Sequence, residues 1–213
     1  RKEARQDIRD TGQEIKNSIK ETRQEAKDKM KEMRQVKKDE IKQMRSEFKE
    51  RVKEKRDELK DKIETKRAEL KERLQKIKDE RKKQIVEKID KSLDVLNEKM
   101  TNHFMNALEK LEDILAKIDE RTDKAEEKGV NVLPVRTAIE AANAAIANTR
   151  TAVETQAGKT YTVAVDIEEE LRSDVGQARQ ALHADLKAIY ERVKVARNAV
   201  HEAARAFAKA HGR

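Results

Sequence analysis

Few residues in this chain have the types and spacing that chemistry needs. Gly158-Lys159-Thr160 matches the end of the phosphate-binding pattern G-x-x-x-x-G-K-[ST], but the first glycine of that pattern falls on Val153 and no buried strand precedes it. The four histidines are His103, His183, His201 and His211. None stands four residues from another, so no helix turn presents a metal-ligating pair, and the His201-Glu202 dipeptide is not part of an H-E-x-x-H motif. A di-iron bundle would need E-x-x-H on two different helices, and no such motif occurs. Ser18, Ser46, Ser92 and Ser173 sit in no nucleophile motif, and without cysteine there is neither a disulfide framework nor thiolate chemistry. The expectation is a protein that is not an enzyme, with no catalytic, cofactor-binding or metal-binding residues.

The elements that would position such residues are helical. Charged side chains make up 44% of the 213 residues and aromatic ones 2%, so most of the chain has little core to bury. That balance would suit disorder. With one Pro, five Gly and an abundance of Glu, Lys, Arg, Ala and Gln, however, it suits long helices better. No run of about 18 apolar residues exists to span a bilayer. The charge is uneven: residues 1–100 hold 34 basic and 25 acidic side chains, residues 101–213 hold 17 and 18. A basic half is joined to a neutral half.

The basic half is an 11-residue repeat, in which IKQMRSEFKER, VKEKRDELKDK and IETKRAELKER follow one another from Ile41 to Arg73. One apolar register steps by eleven through Ile8, Ile19, Met30, Ile41, Val52, Ile63 and Leu74. A second, seven residues further on, takes Ile15, Ala26, Phe48, Leu59 and Leu70. A third, three residues on, takes Met33, Met44 and Ile77 among threonines and lysines. Eleven residues fill three turns at 3.67 per turn, so the stripe stays on one face and a pairing along it would be straight or weakly right-handed. Glu25–Lys29, Glu47–Arg51, Glu58–Lys62 and Glu69–Arg73 stand in the favoured i,i+4 order, each worth roughly 0.2–0.5 kcal/mol. Only Gly12 interrupts helix-forming residues between Thr11 and Lys128. This predicts one helix of about 120 residues, roughly 180 Å long.

From Ile85 the stripe thickens through Ile89, Leu93, Leu96, Met100, Phe104, Leu108, Leu111, Leu115 and Ile118, as in a buried helix. Gly129 suits the left-handed residue after a helix end, and Pro134 the first turn of the next helix. The chain thus reads as all-α: a charged 11-residue-repeat stalk over residues 1–84, then a three-helix bundle over 85–213. The bundle helices are expected at about 85–127, 135–156 and 166–209. The last starts at Asp166 in a capping-box-like arrangement with Glu169. The connection AGKTYTVAV, from Ala157 to Val165, is expected as a loop or irregular turn. The third helix is the longer, so it should overrun the bundle and expose Val193, Val200 and Phe207 as a possible head interface.

The head also carries a resemblance. In the segment from Leu108 to Val153, Ile118, Arg121, Lys124, Glu126, Gly129 and Val130 are followed by an Ala-rich helix. A closing helix with VGQARQALHADLKAIYERV comes after it. This resembles predicted secreted, all-helical proteins of uncultivated small-genome bacteria, over about residues 85–207. The resemblance implies export behind a signal peptide, in keeping with a sequence that starts at Arg1, and so a secreted, cell-surface or periplasmic setting. It carries no established activity. The 11-residue period of residues 1–84 resembles exchangeable apolipoproteins, although lipid-binding helices present a wider and bulkier apolar face.

The function expected is therefore structural: a stalk that sets a distance and a head that docks. The stripe would pair with another copy or a partner helix as a coiled coil or filament, and no cofactor is called for. The alternative is a basic helical module coating an anionic polymer, whether nucleic acid, surface glycan or lipid headgroups. Against nucleic acid, acids interleave with the bases in every repeat and no aromatic residues are placed for stacking.

Overall fold

The computed structural model describes residues 2–165 and 167–212, and for residues 2–5, 7, 8 and 10 the helix alone. Four α-helices follow one another: α1 (Lys2–Leu74), α2 (Glu80–Glu126), α3 (Leu133–Ala157) and α4 (Leu171–Ala210). A short 3-10 turn, Glu168–Glu170, leads into α4. There is no strand among the described residues, and the expected all-α class holds. The chain divides into two units, residues 1–44 and residues 45–213.

The single helix of about 120 residues does not form. The chain leaves the helix after Leu74 and re-enters it at Glu80. Neither glycine nor proline marks the break. Asp79 makes it: with extended backbone it accepts from the N–H groups of Arg81 and Lys82 at 2.9 and 3.2 Å, capping α2. The physical reason for the turn is burial. Leu70, Leu74 and Ile77 before it, and Val86 and Leu93 after it, are all buried in one core, whereas a straight rod would hold these side chains in water. The eleven-residue register loses phase across the break. Ile85 and Leu96, which continue it, are 55% and 45% exposed, and the inner face of α2 is instead Val86, Asp90, Leu93, Asn97, Thr101, Phe104 and Leu108.

Residues 45–74 of α1 run antiparallel to α2. Arg45 meets Glu112, Arg56 meets Thr101 and Arg67 meets Asp90, so positions fall on α2 as they rise on α1. The head is thus a four-helix bundle that begins at Arg45, rather than a three-helix bundle that begins at residue 85. The three helices expected there do form close to their expected limits.

Gly129 has φ +81°, and the N–H groups of Val130 and Gly129 donate to the carbonyls of Ala125 and Glu126, a glycine-dependent helix stop. Pro134 occupies the first turn of α3. Arg136, one turn into α3, reaches back to Asp119 and Asp123 at 2.5 Å and Glu126 at 2.7 Å, which fixes the angle between α2 and α3. Burial works against its charge, but the hydrogen bonds to Glu126 and Asp123 outweigh that and raise its pKa. The expected Asp166 cap lies outside the described residues.

Candidate functional site

The feature most able to act on another molecule is the repeat itself, and its two parts differ. In residues 45–77, Phe48, Val52, Leu59, Leu70, Leu74 and Ile77 are all buried within the chain, and Ile63 is half-buried. These six were expected on a surface for assembly. The structure assigns them to the molecule's own core, because α1 turns back onto α2. In residues 1–44, Ile15, Ile19, Met33 and Met44 are 47–57% exposed, and Met30 and Ile41 are half-buried. The side chain of Ile8 lies outside those described. The candidate surface is therefore the N-terminal part of the stripe alone.

The second expected surface is not one. Val200 is buried, and Val193 and Phe207 are partly buried against the core. Thr149 of α3 donates to the carbonyl of Arg192 on α4, which registers the two helices antiparallel. The surplus length of α4 consequently lies at its N-terminal end. There it is covered: Leu171 is buried with Ile77 and Val165, and Glu168 accepts from the Lys78 N–H and pairs with Lys82 at 2.7 Å.

What sequence reasoning missed is an arginine every eleven residues. Arg23, Arg34, Arg45, Arg56 and Arg67 share one position of the repeat. In the bundle each of the last three crosses to α2. Arg45 pairs with Glu112 and Asp113, both at 2.7 Å, and donates to the Glu109 carbonyl. Arg56 donates to Thr101 and Asn102 at 2.8 and 2.9 Å. Arg67 donates to Asp94 at 2.9 Å and to Asp90 at 3.4 Å. Lys49, four residues beyond Arg45 on the same edge, pairs with Glu109 at 2.8 Å. The acceptors Asp90, Thr101 and Glu112 are themselves eleven apart, so a repeat is read by a repeat. The signal was available in the conserved spacing of arginine within the chain, but it was hidden among 51 basic residues.

Behind this ladder lies a polar junction. Glu112, 8% exposed, is held between Arg45 and Arg150, and Arg150 also lies over the Phe48 ring, 5.3 Å from its centre. Further along, Asn97 donates to the carbonyls of Gln156 and Lys159, and the Gln156 amide donates to Asn97 and to the Tyr161 hydroxyl. The hydroxyl in turn donates to Asp185 at 2.5 Å. The connection after α3 is an extended strap whose alternate residues Tyr161, Val163 and Val165 are buried. Its backbone is satisfied by α2: the Val163 N–H donates to Asp90 at 3.0 Å and the Thr160 hydroxyl to Asp94.

This accounts for Gly158-Lys159-Thr160 without a nucleotide. Lys159 pairs with Asp185, and Thr160 bonds Asp94. Burial pushes the Asp94 carboxyl above its ordinary value, opposed by the Tyr161 N–H and Arg67. Lys159 and the Tyr161 hydroxyl hold Asp185 below its own. Burial and Asp185 raise the Tyr161 phenol.

All four histidines are exposed. Among the described residues no three His, Asp or Glu side chains converge as metal ligands, and no helix is long and apolar enough to cross a membrane. No protein-family model, no curated protein and no solved structure matches the chain.

Proposed function

We propose that this is a non-enzymatic structural and interaction protein. The four-helix bundle is its folded base, and the N-terminal repeats dock another helix to form a coiled-coil assembly. The extracytoplasmic setting is part of the proposal and rests on the resemblance of the head to secreted helical proteins. One observation carries the docking reading. Equivalent apolar positions of one repeat are buried in residues 48–77 and exposed at Ile15, Ile19, Met33 and Met44. A stripe with the same eleven-residue step is used for helix pairing in one half, and it stands uncovered in the other. The polar network of the strap supports a scaffolding role for the bundle, since Asn97, Gln156, Tyr161 and Asp185 bond one another and tie α2, α3 and α4 together.

The test is sedimentation velocity of the full chain, alone over a range of concentrations and mixed with a peptide of residues 85–118, at about 50 and 300 mM salt. Association in either arm is expected, with loss on Ile19→Asp. A monomer in both arms at every concentration would overturn the reading.

A further inference from the structure

The edge of the exposed stripe says what kind of helix it takes. Beside Ile15, Ile19 and Met30 runs a row of cations, Lys16, Lys20, Arg23, Lys27 and Lys31, at spacings of four, three, four and four. These spacings keep them on one side of the apolar positions. All five are exposed. Lys31 leans to Asp28 at 3.6 Å, an exposed pair of little strength. Glu14, Glu21, Glu25 and Glu32 line the opposite margin of the stripe, and Asp28 lies on the far side of the helix.

The molecule already contains an answer to such an edge. In the bundle the repeat position of Arg23 carries Arg45, Arg56 and Arg67, and that of Lys16 and Lys27 carries Lys49, and these are met by α2, an antiparallel helix whose facing edge is acidic at Asp90, Asp94, Glu109 and Glu112. We infer that residues 15–33 dock an acidic-edged amphipathic helix running antiparallel to them, in the manner of α2. The inference rests on the docking reading above and names the partner's chemistry.

An antiparallel second copy of the same segment is a poorer occupant. In an antiparallel pair, residues on the same side of the stripe face one another, so the cationic edges of two copies would meet and repel. In a parallel pair, the cationic edge would face the other margin of the stripe. There Glu14, Glu21, Glu25 and Glu32 stand beside Ser18 and Lys29, so a parallel second copy is the rival occupant, and the test reads it as self-association. A membrane is poorer still, because Thr22 and Ala26 occupy the middle of the stripe and leave little apolar area to insert.

The probe is the peptide of residues 85–118, which carries the acidic edge of α2, added to the full chain. Saturable binding is expected, and it should weaken on raising the salt. A Lys20→Glu, Arg23→Glu, Lys27→Glu variant lies outside the bundle and should lose about tenfold in affinity. A peptide with its edge acids changed to lysine should recover binding to that variant. This also separates docking on the exposed stripe from exchange with α2 in the bundle, which the triple substitution would leave unchanged.

Orientation is read by disulfide trapping, since the chain has no native cysteine. A chain with Ile15→Cys should cross-link to a peptide bearing cysteine at its C-terminus and not at its N-terminus. The reverse preference, or binding indifferent to the charge variants, overturns the inference. If the peptide fails to bind while the chain associates with itself, only this inference falls. If neither happens, the docking reading falls with it.

Discussion

Residues 15–44 and 45–77 are written in the same eleven-residue pattern, yet the second set of apolar side chains forms core and the first does not. Phe48 and Val52 are 2% and 1% exposed, whereas Ile15 and Met33 are 55% and 57% exposed. Both segments belong to one continuous helix, α1, so local helix propensity cannot be the difference. The difference is whether a complementary helix is supplied. Residues 45–74 have α2, with its acids at the matching interval. The lesson is that the repeat specifies a kind of partner and not a burial state. Helicity in the exposed part is sustained by its charge pattern, as where Gln24 donates to Asp28 and Lys42 pairs with Asp39.

The sharpest way to break this comparison is to truncate equivalent apolar residues in the two parts. Phe48→Ala removes a ring buried beneath Arg150 and should cost about 3 kcal/mol of bundle stability. Ile15→Ala, three repeats earlier at the equivalent position, should change stability by less than about 0.5 kcal/mol. Urea denaturation followed by circular dichroism at a bundle-specific signal measures both. Equal effects would mean that the exposed stripe also packs in the free chain.

The arginine ladder permits the same contrast one step smaller. Arg67→Met leaves Asp90, 2% exposed, with the Val163 N–H but without its cation. A loss of about 2 kcal/mol is expected from a buried carboxylate deprived of its partner. Arg23→Met, at the equivalent position, should be silent in stability. A double-mutant cycle of Arg67→Met with Asp94→Asn should show coupling, since Arg67 reaches both acids.

Much of this molecule was legible in its sequence. The helical class, the limits of α3, the C-terminal limits of α2 and α4, the glycine stop at Gly129 and the proline start at Pro134 all follow from periodicity and capping chemistry. What was not legible was the turn at residues 75–79. A helix that folds back on itself ordinarily announces the fact with glycine or proline, and here the work falls to Asp79 and to Glu168, some 90 residues away in sequence, which accepts from the Lys78 N–H. Tertiary burial of Leu74, Ile77, Val165 and Leu171 decides it, and no local window contains those four residues. The same blindness hid the candidate surface: which half of a uniform stripe is free depends on a contact partner that the stripe itself does not encode. Asp79→Ala tests the local share of the turn. Losing the one carboxylate oxygen that accepts from both N–H groups should cost about 1 kcal/mol without abolishing the hairpin. If the hairpin opened, the cap rather than the core would be the cause of the turn.

The smallest expected effect separates the two parts by pH. Asp39, in the N-terminal unit, is lowered chiefly by its hydrogen bond from Gln35, but it is fully exposed and should not register in bundle stability. Asp94 and Asp185 stand at the same polar junction of the bundle and titrate in opposite senses. The Asp185 pKa is depressed on folding by Lys159 and Tyr161. Its contribution is therefore complete above the unfolded value of about 3.9 and is lost as pH falls through the lower folded value. The Asp94 pKa is raised, first by burial. Its linkage contribution is complete below that unfolded value and is lost as pH rises through the higher folded one. Asp185→Asn should consequently lower stability at pH 7 by about 0.5 kcal/mol, a figure discounted for its partial exposure, and flatten the acid limb. Asp94→Asn should steepen the net loss of stability on acidification, because it removes the one carboxylate of the pair that favours the folded state there. Denaturation midpoints measured from pH 7 to pH 3 would show the two variants diverging from the parent in opposite directions. Parallel shifts would mean that the two carboxylates do not titrate as separate sites.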